Sequence, residues 1–160
     1  MSVMRAVQKI LVPVDFSGHS LQAVDYAAYL AEKLGATVDV MHAWHPHDLG
    51  TLLDESSIET PDDERRQTLA EFLHTRAGQE LKRVLAHLEA RGLEAKGRLE
   101  AGTPRESIVE AATTGGYDLI VMSTRGRSGP AHAVMGSVAE WVVRHAPVPV
   151  VTVREGGSDR

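Results

Sequence analysis

Short apolar runs alternate with amphipathic segments along this chain, and that alternation limits the folds that it can adopt. The runs are rich in branched side chains, which is typical of strands buried on both faces. The segments between them place apolar residues three and four positions apart, which is typical of helices packed on a sheet. Predicted strands cover 9–15, 37–43, 94–100, 118–123 and 148–153, and predicted helices cover 17–34, 63–91 and 136–145, with a further helix starting at Pro104.

A repeated strand–helix order predicts an open parallel sheet with helices on both faces. Because right-handed crossovers leave few arrangements, we expect a Rossmann-like α/β fold with strand order 3-2-1-4-5 and the polar strand 94–100 at one edge. The chain has 160 residues, the size of one domain. We therefore expect a single domain over 1–160, with an ordered core at about 7–154 and a loop at 44–62.

Several residues mark the predicted helix ends. Ser17 and Thr103 precede helices as capping side chains do, and Pro104 suits a first helical position. Gly35 suits the stop of the first helix. The stretch 137–140 matches the S-x-x-E capping box at the start of the last helix.

Charge and composition exclude several classes of protein. The 17 basic and 22 acidic residues give a net charge of -5, which argues against a general nucleic-acid binder and against a membrane-surface protein. The chain has no cysteine, which excludes disulfides, thiolate metal sites and cysteine nucleophiles. No apolar run approaches the length of a membrane span. We expect a cytoplasmic protein.

The predicted strand at 118–123 leads directly into a loop that carries glycines and arginines. Glycine lets the backbone approach a ligand closely, arginine suits phosphate, and a helix start offers free N–H groups. A new helix begins at the far end of this loop, so the segment predicts a nucleotide phosphate site. The candidate residues are Ser123, Thr124, Arg125, Gly126, Arg127, Ser128, Gly129, Gly136 and Ser137.

A second group of candidates follows strands 1 and 2. Open parallel sheets bind ligands beyond the carboxyl ends of their strands, where the strand order reverses. For the predicted order this is the crevice between strands 1 and 4. Pro13 and Asp15 end strand 1 there, and Asp15 suits a ribose hydroxyl or a divalent ion bound through water. Backbone groups near Ala43, at the end of strand 2, suit an adenine edge.

The same residues also have structural interpretations. The capping box explains Ser137 without a ligand, and Asp15 suits a helix cap or a turn. Gly126 and Gly129 suit an ordinary turn, with the neighbouring arginines on a solvated surface. No pair of carboxylates and no nucleophile–base pair emerges from the sequence, so we expect at most weak hydrolysis of a bound nucleotide.

Several segments, taken in order, resemble the universal stress protein family over nearly the whole chain. They are residues 10–17, 101–104 with 108–109, 117–122, 136–140 and 145–150. The nucleotide-binding branch of that family carries glycine, two residues, glycine, nine residues, glycine and then serine or threonine. Gly126, Gly136 and Ser137 match this pattern, whereas Ser123 stands where the first glycine would be. A positive φ at that position would cost a serine roughly 1 kcal/mol.

The resemblance implies a stress-response regulatory protein that binds ATP, AMP or ADP, with Mg²⁺ or Mn²⁺ accompanying the nucleotide. It implies that Pro13 and Ala43 lie against adenine and that residues 123–129 surround the phosphates. Ser137, Val138 and Ala139 would complete the pocket, and the protein would be a homodimer. The alternatives are a slow ATPase and a nucleotide-free dimeric module that binds an unidentified protein partner.

Strand 5 has a composition that suits pairing of two chains. Pro149 lacks an N–H group, which is tolerated at sheet edges. The strand has no inward-facing charge that would discourage edge-to-edge pairing. Antiparallel pairing with the same strand of a second chain would cover this edge, through Val148, Val150, Val151, Thr152 and Val153.

Overall fold

The computed structural model describes residues 5–44, 63–125 and 135–154, with the side chains of 63–73 excepted. Five strands and four helices alternate within these residues. The strands are β1 (Lys9–Pro13), β2 (Thr37–Trp44), β3 (Ala95–Ala101), β4 (Leu119–Ser123) and β5 (Val150–Val153). The helices are α1 (Gly18–Leu34), α2 (Asp63–Ala90), α3 (Pro104–Thr114) and α4 (Ser137–His145).

All neighbouring strands of the sheet are parallel, and their order is β3-β2-β1-β4-β5. The predicted fold class and strand order are therefore confirmed. Successive strands are added on one side of β1 up to β3 and on its other side from β4 onward, so the strand order reverses between β1 and β4, whose register pairs Leu11 with Ile120. The same offset brings Asp15 level with Thr124, just beyond the carboxyl ends of the two strands.

Helices cover both faces of the sheet because side chains of each central strand alternate between two apolar clusters. On one face, α1 and α2 pack on Val12, Val40 and Val121. The α1 surface in this cluster consists largely of alanines, whose small side chains let the helix lie close to the strands. On the other face, α3 and α4 pack on Leu11 and Ile120.

Most of the predicted helix ends are confirmed. Ser17 caps α1 by accepting a hydrogen bond from the Ser20 N–H at 3.2 Å, and Gly35 ends that helix with a φ of 66°. Thr103 occupies the cap position of α3, but its side chain makes no capping bond. The capping box at Ser137 is wrong: the cap position is Gly136, and Ser137 is the first residue inside α4.

Strand β3 lies at the edge, as its polar sequence predicts. Its alternate residues Ala95 and Leu99 pack toward α2, while Arg98 and Glu100 form an ion pair on the opposite face. A Cβ atom on Gly97 would lie 2.7 Å from Leu81 Cδ2, so α2 reaches the strand because this residue has no side chain.

Several predicted strand boundaries shift by one or two residues in the structure, among them the ends of β1, β2 and β5. Trp44, expected in a loop, is the last residue of β2, and residues 45–62 lie outside the described part. Strand β5 begins at Val150, so Val148 precedes it. The Pro149 carbonyl accepts a hydrogen bond from Ile120 N–H, so this proline faces β4 rather than the open edge. The edge position of β5 is confirmed, but the proline is not its cause.

Candidate functional site

The carboxyl end of β4 turns sharply through Ser123, which is 8% exposed. Its Oγ donates to the Arg125 carbonyl at 2.6 Å and accepts from the Arg125 N–H at 3.0 Å. Among the described residues other than glycine, only Phe16 has a positive φ. Serine therefore fits the position without the backbone cost that a left-handed conformation would carry.

Two backbone hydrogen bonds hold Thr124 at the end of β4, and the second of them brings the start of α4 against it. The Thr124 N–H donates to the Val153 carbonyl at 3.1 Å, which extends the pairing of β4 with β5. The Gly136 N–H donates to the Thr124 carbonyl at 2.5 Å. Residues on either side of the glycine loop are thus adjacent, while Gly126, Arg127, Ser128 and Gly129 lie outside the described residues.

The first turn of α4 presents an exposed serine next to this junction. Gly136 has φ −69° and ψ 159°, a conformation open to any residue, so its backbone angles do not require glycine. The Ser137 side chain is exposed and makes no hydrogen bond within the described part of the chain. Val138 is half-buried and Ala139 is buried in the core under α4, so a ligand would meet Ala139 through its backbone.

Asp15 lies in the tight turn between β1 and α1. Its Oδ1 accepts hydrogen bonds from the Ser17 N–H at 2.9 Å and from the Ser17 Oγ at 2.5 Å. Its own N–H donates to the Ser20 Oγ at 3.3 Å. The turn interpretation of Asp15 therefore applies, and Ser17 rather than Asp15 caps α1.

Phe16 and His42 complete this turn, and neither is among the site residues predicted from the sequence. Phe16 has a φ of 62°, which is unusual for a large aromatic residue. Its ring lies 4.6 Å from that of His42, centroid to centroid. The His42 Nδ1 bonds to the Val14 carbonyl at 2.8 Å. A glycine at position 16 would have predicted a positive φ from the sequence, but the chain has phenylalanine there.

Pro13 and Ala43 lie on the sheet face that α3 and α4 cover. Pro13 is buried at the end of β1 and pairs with Met41 in the register with β2. Ala43 is half-buried, packs against the cluster under α3 and α4, and pairs with Glu100 of β3. Pro13 is the last residue of β1 and Ala43 is the last but one of β2, so both lie at the carboxyl ends of the strands, as Ser123 does.

A polar network under α3 lies away from the carboxyl ends of the strands. Asp39, 6% exposed, accepts a hydrogen bond from the Tyr117 hydroxyl at 2.7 Å and lies 3.6 Å from Lys9 Nζ. Burial raises the pKa of the Tyr117 phenol above its ordinary value of 10.0, and the hydrogen bond to Asp39 adds to this, while Arg98 acts in the opposite direction. These bonds join β1, β2 and β3 to the segment before β4.

The described ranges contain neither a cluster of metal ligands nor a membrane-spanning helix. Within them, no three histidine, aspartate or glutamate side chains cluster as metal ligands do. No helix in the same ranges has both the length and the apolar character needed to cross a bilayer.

The chain matches a known protein family over most of its length. Residues 6–154 match the Universal stress protein family. The chain belongs to this family. The universal stress protein MJ0531 of Methanocaldococcus jannaschii is 31% identical over 149 residues, which is 92% of this chain and 82% of that protein. The resemblance read from the sequence is therefore confirmed.

Solved structures of other universal stress proteins share the fold. The structure of MJ0577, from the same archaeon, has a TM-score of 0.82 at 25% identity and covers 96% of this chain and 100% of its own. A universal stress protein solved in complex with cAMP has a TM-score of 0.67 at 24% identity, covering 94% and 98% of the two chains. One from Archaeoglobus fulgidus, in complex with dAMP, has a TM-score of 0.63 at 23% identity, covering 92% and 98%.

Proposed function

We propose that this universal stress protein is a regulatory module of the stress response that binds an adenine nucleotide. The proposed ligand is ATP, and the proposed site is the crevice between β1 and β4. The observation that carries the proposal is the hydrogen bond from Gly136 N–H to the Thr124 carbonyl. Because of it, the free N–H groups at the start of α4 adjoin the turn after β4. Free amides at a helix start attract phosphate.

The phosphate part of the site uses the loop and the first turn of α4. Ser137 supports this role because its hydroxyl is exposed and is not used as a cap. In the proposal this hydroxyl and the amides of Val138 and Ala139 donate to phosphate oxygens. Gly126 and Gly129 would let the loop backbone approach these oxygens, and the guanidinium groups of Arg125 and Arg127 would offset the phosphate charge. Thr124 and Ser128, on the same loop, would complete the phosphate part of the site.

The nucleoside part of the site uses the ends of β1 and β2. Pro13 and Ala43 would contact the adenine, and Asp15 would accept from a ribose hydroxyl. When Mg²⁺ or Mn²⁺ accompanies the nucleotide, the Asp15 carboxylate suits it through water, since divalent ions of this kind prefer oxygen ligands. The choice of an adenine base is supported by the two relatives that were solved with cAMP and with dAMP.

Ligand release and thermal unfolding test this proposal. Freshly purified protein is denatured and the released small molecules are identified by mass spectrometry, with adenine nucleotide as the expected species. Stripped protein should melt at a higher temperature with millimolar ATP and Mg²⁺, because a ligand that binds only the folded state stabilises it. No released nucleotide together with no thermal shift would reject the proposal.

We also propose a homodimer formed through β5. The four β5 residues are all half-buried, and the strand has β4 on one side and no other strand within the described residues. Since Ile120 and Thr124 bond to the carbonyls of Pro149 and Val153, the alternate backbone groups of Val150 and Thr152 point away from β4. Those groups are available to a second copy of the strand.

A further inference from the structure

The turn between β1 and α1 has a conformation that its sequence does not favour. Phe16 has a φ of 62°, in the left-handed region that phenylalanine rarely adopts. Such a conformation persists only when surrounding contacts determine it, and conformations of this kind are frequent at functional sites. The residue immediately before Phe16 is Asp15, which the proposed function places against the nucleotide.

Contacts within the turn account for only part of this conformation. Ser17 donates twice to Asp15 Oδ1, and it also caps α1 through its bond with Ser20. These bonds fix Asp15 relative to the helix. The Asp15 N–H also donates to the Ser20 Oγ at 3.3 Å, and the Val14 N–H donates to the Met41 carbonyl at 2.8 Å. None of these bonds involves the Val14 carbonyl or the Phe16 ring, and a residue of β2 contacts both.

His42, from the neighbouring strand β2, contacts the chain on both sides of Asp15. Its Nδ1 lies 2.8 Å from the Val14 carbonyl, and because a carbonyl only accepts, Nδ1 carries the hydrogen. Its ring also packs on Phe16, with a centroid distance of 4.6 Å and an interplanar angle of 37°. One imidazole thus touches the residue before Asp15 and the residue after it.

We infer that His42 is a positioning residue for the nucleotide site, acting through Asp15. It fixes Val14 and Phe16, and thereby sets where the Asp15 carboxylate meets a ribose hydroxyl or the ion that accompanies the nucleotide. This inference rests on the proposed function. A glycine at position 16 would adopt the same φ without strain, but it would present no ring to His42.

A double-mutant cycle separates positioning from general damage. The Kd for ATP with Mg²⁺ is measured by calorimetry for the wild type, His42→Ala, Asp15→Asn and the double variant. Asparagine keeps the size of Asp15 and an oxygen that can accept from Ser17. We expect His42→Ala to weaken binding by about tenfold in the wild type and by less than about twofold in the Asp15→Asn background, as for coupled residues. Equal losses in both backgrounds, or no loss in either, would overturn the inference.

Two further variants serve as controls. His87→Ala removes a histidine that pairs with Asp25 on the exposed surface between α1 and α2, and it should leave the Kd unchanged. Phe16→Gly removes the ring contact while allowing the positive φ. It should melt at or above the temperature of Phe16→Ala and still bind ATP more weakly than the wild type. Binding by Phe16→Gly at the wild-type level would show that the ring contact has no positioning role.

A measurement without nucleotide distinguishes failure of this inference from failure of the proposed function. Amide hydrogen exchange in His42→Ala should speed up at Asp15 and Ser17 and remain unchanged at Val12, which lies within β1. Unchanged exchange at Asp15 would refute positioning by His42, whether or not ATP binds. A wild type that binds no nucleotide would refute the proposed function instead, and with it the role assigned to Asp15.

Discussion

At the scale of single residues, two serines near helix starts have different roles. Ser17 precedes α1 and its side chain accepts from a backbone N–H, whereas Ser137 lies one position inside α4 and makes no such bond. The sequence could not separate these cases, because a shift of one residue in the helix start decides between them. Ser137 is left with an exposed hydroxyl at the proposed phosphate site.

Alanine substitution should therefore affect ligand binding at Ser137 and folding stability at Ser17. Ser137→Ala should change the free energy of unfolding by less than about 0.5 kcal/mol, since no capping bond is lost. It should weaken ATP binding severalfold, which calorimetry measures. Ser17→Ala is the matched change, and it should lower the free energy of unfolding by about 1 kcal/mol. A large loss of stability in Ser137→Ala would restore the capping interpretation.

Tyr117 should make the fold sensitive to alkaline pH. Its pKa is raised in the folded state, chiefly by burial, so the folded chain keeps the phenol proton where the unfolded chain has lost it. This contribution to stability is complete below pH 10.0, the ordinary pKa, and is lost as the pH rises through the folded-state value. Urea unfolding between about pH 9 and pH 11 should show a steeper decline for the wild type than for Tyr117→Phe. Parallel declines would contradict this account.

At the scale of elements, the alternation of apolar runs and amphipathic segments was enough to predict every strand and the sheet order. Even the polar strand β3 was predictable, because an edge strand with a helix on one face needs few apolar residues. The conformation of Phe16 was not predictable, since the sequence around it has no glycine at that position and its ring contacts His42 of a different strand. The local sequence pattern therefore predicts the strands and helices, whereas the backbone conformation of a turn also depends on contacts between elements.

The contact between β3 and α2 should be sensitive to one methyl group. In Gly97→Ala the new Cβ would lie 2.7 Å from Leu81 Cδ2 and 2.9 Å from Leu85 Cδ1, so both leucines must move. We expect a loss of about 1–3 kcal/mol in the free energy of unfolding, as for other overpacked sites. Gly18→Ala is a suitable control, because a Cβ there meets nothing within 4 Å. Equal stability of both variants, measured by urea unfolding, would contradict the close packing.

At the scale of the whole molecule, the proposed nucleotide site and the proposed dimer surface are connected through β4 and β5. The Thr124 N–H, beside the site, donates to the carbonyl of Val153, the last residue of β5. One backbone hydrogen bond thus joins the residue after β4 to the end of the strand proposed to pair with a second chain. This arrangement suits a module in which a bound nucleotide alters an assembly.

Removal of a single backbone N–H group, that of Thr152 in β5, tests the proposed dimer. Thr152→Pro removes an N–H that points away from β4, so it should convert a dimer to a monomer in analytical ultracentrifugation. Thr152→Val keeps that N–H group and should remain dimeric. A monomeric wild type, or a dimeric Thr152→Pro variant that folds normally, would reject pairing through β5.

A titration of isotopically labelled protein with ATP and Mg²⁺, followed by amide NMR, tests the central claim most directly. We predict that the largest shift changes fall on residues 13–16, 123–129 and 136–139, at the carboxyl ends of β1 and β4 and the start of α4. Residues at the opposite end of the sheet, such as Gly35 and Gly92, should keep their shifts. No change at millimolar ATP, or changes confined to that opposite end, would contradict a nucleotide site between β1 and β4.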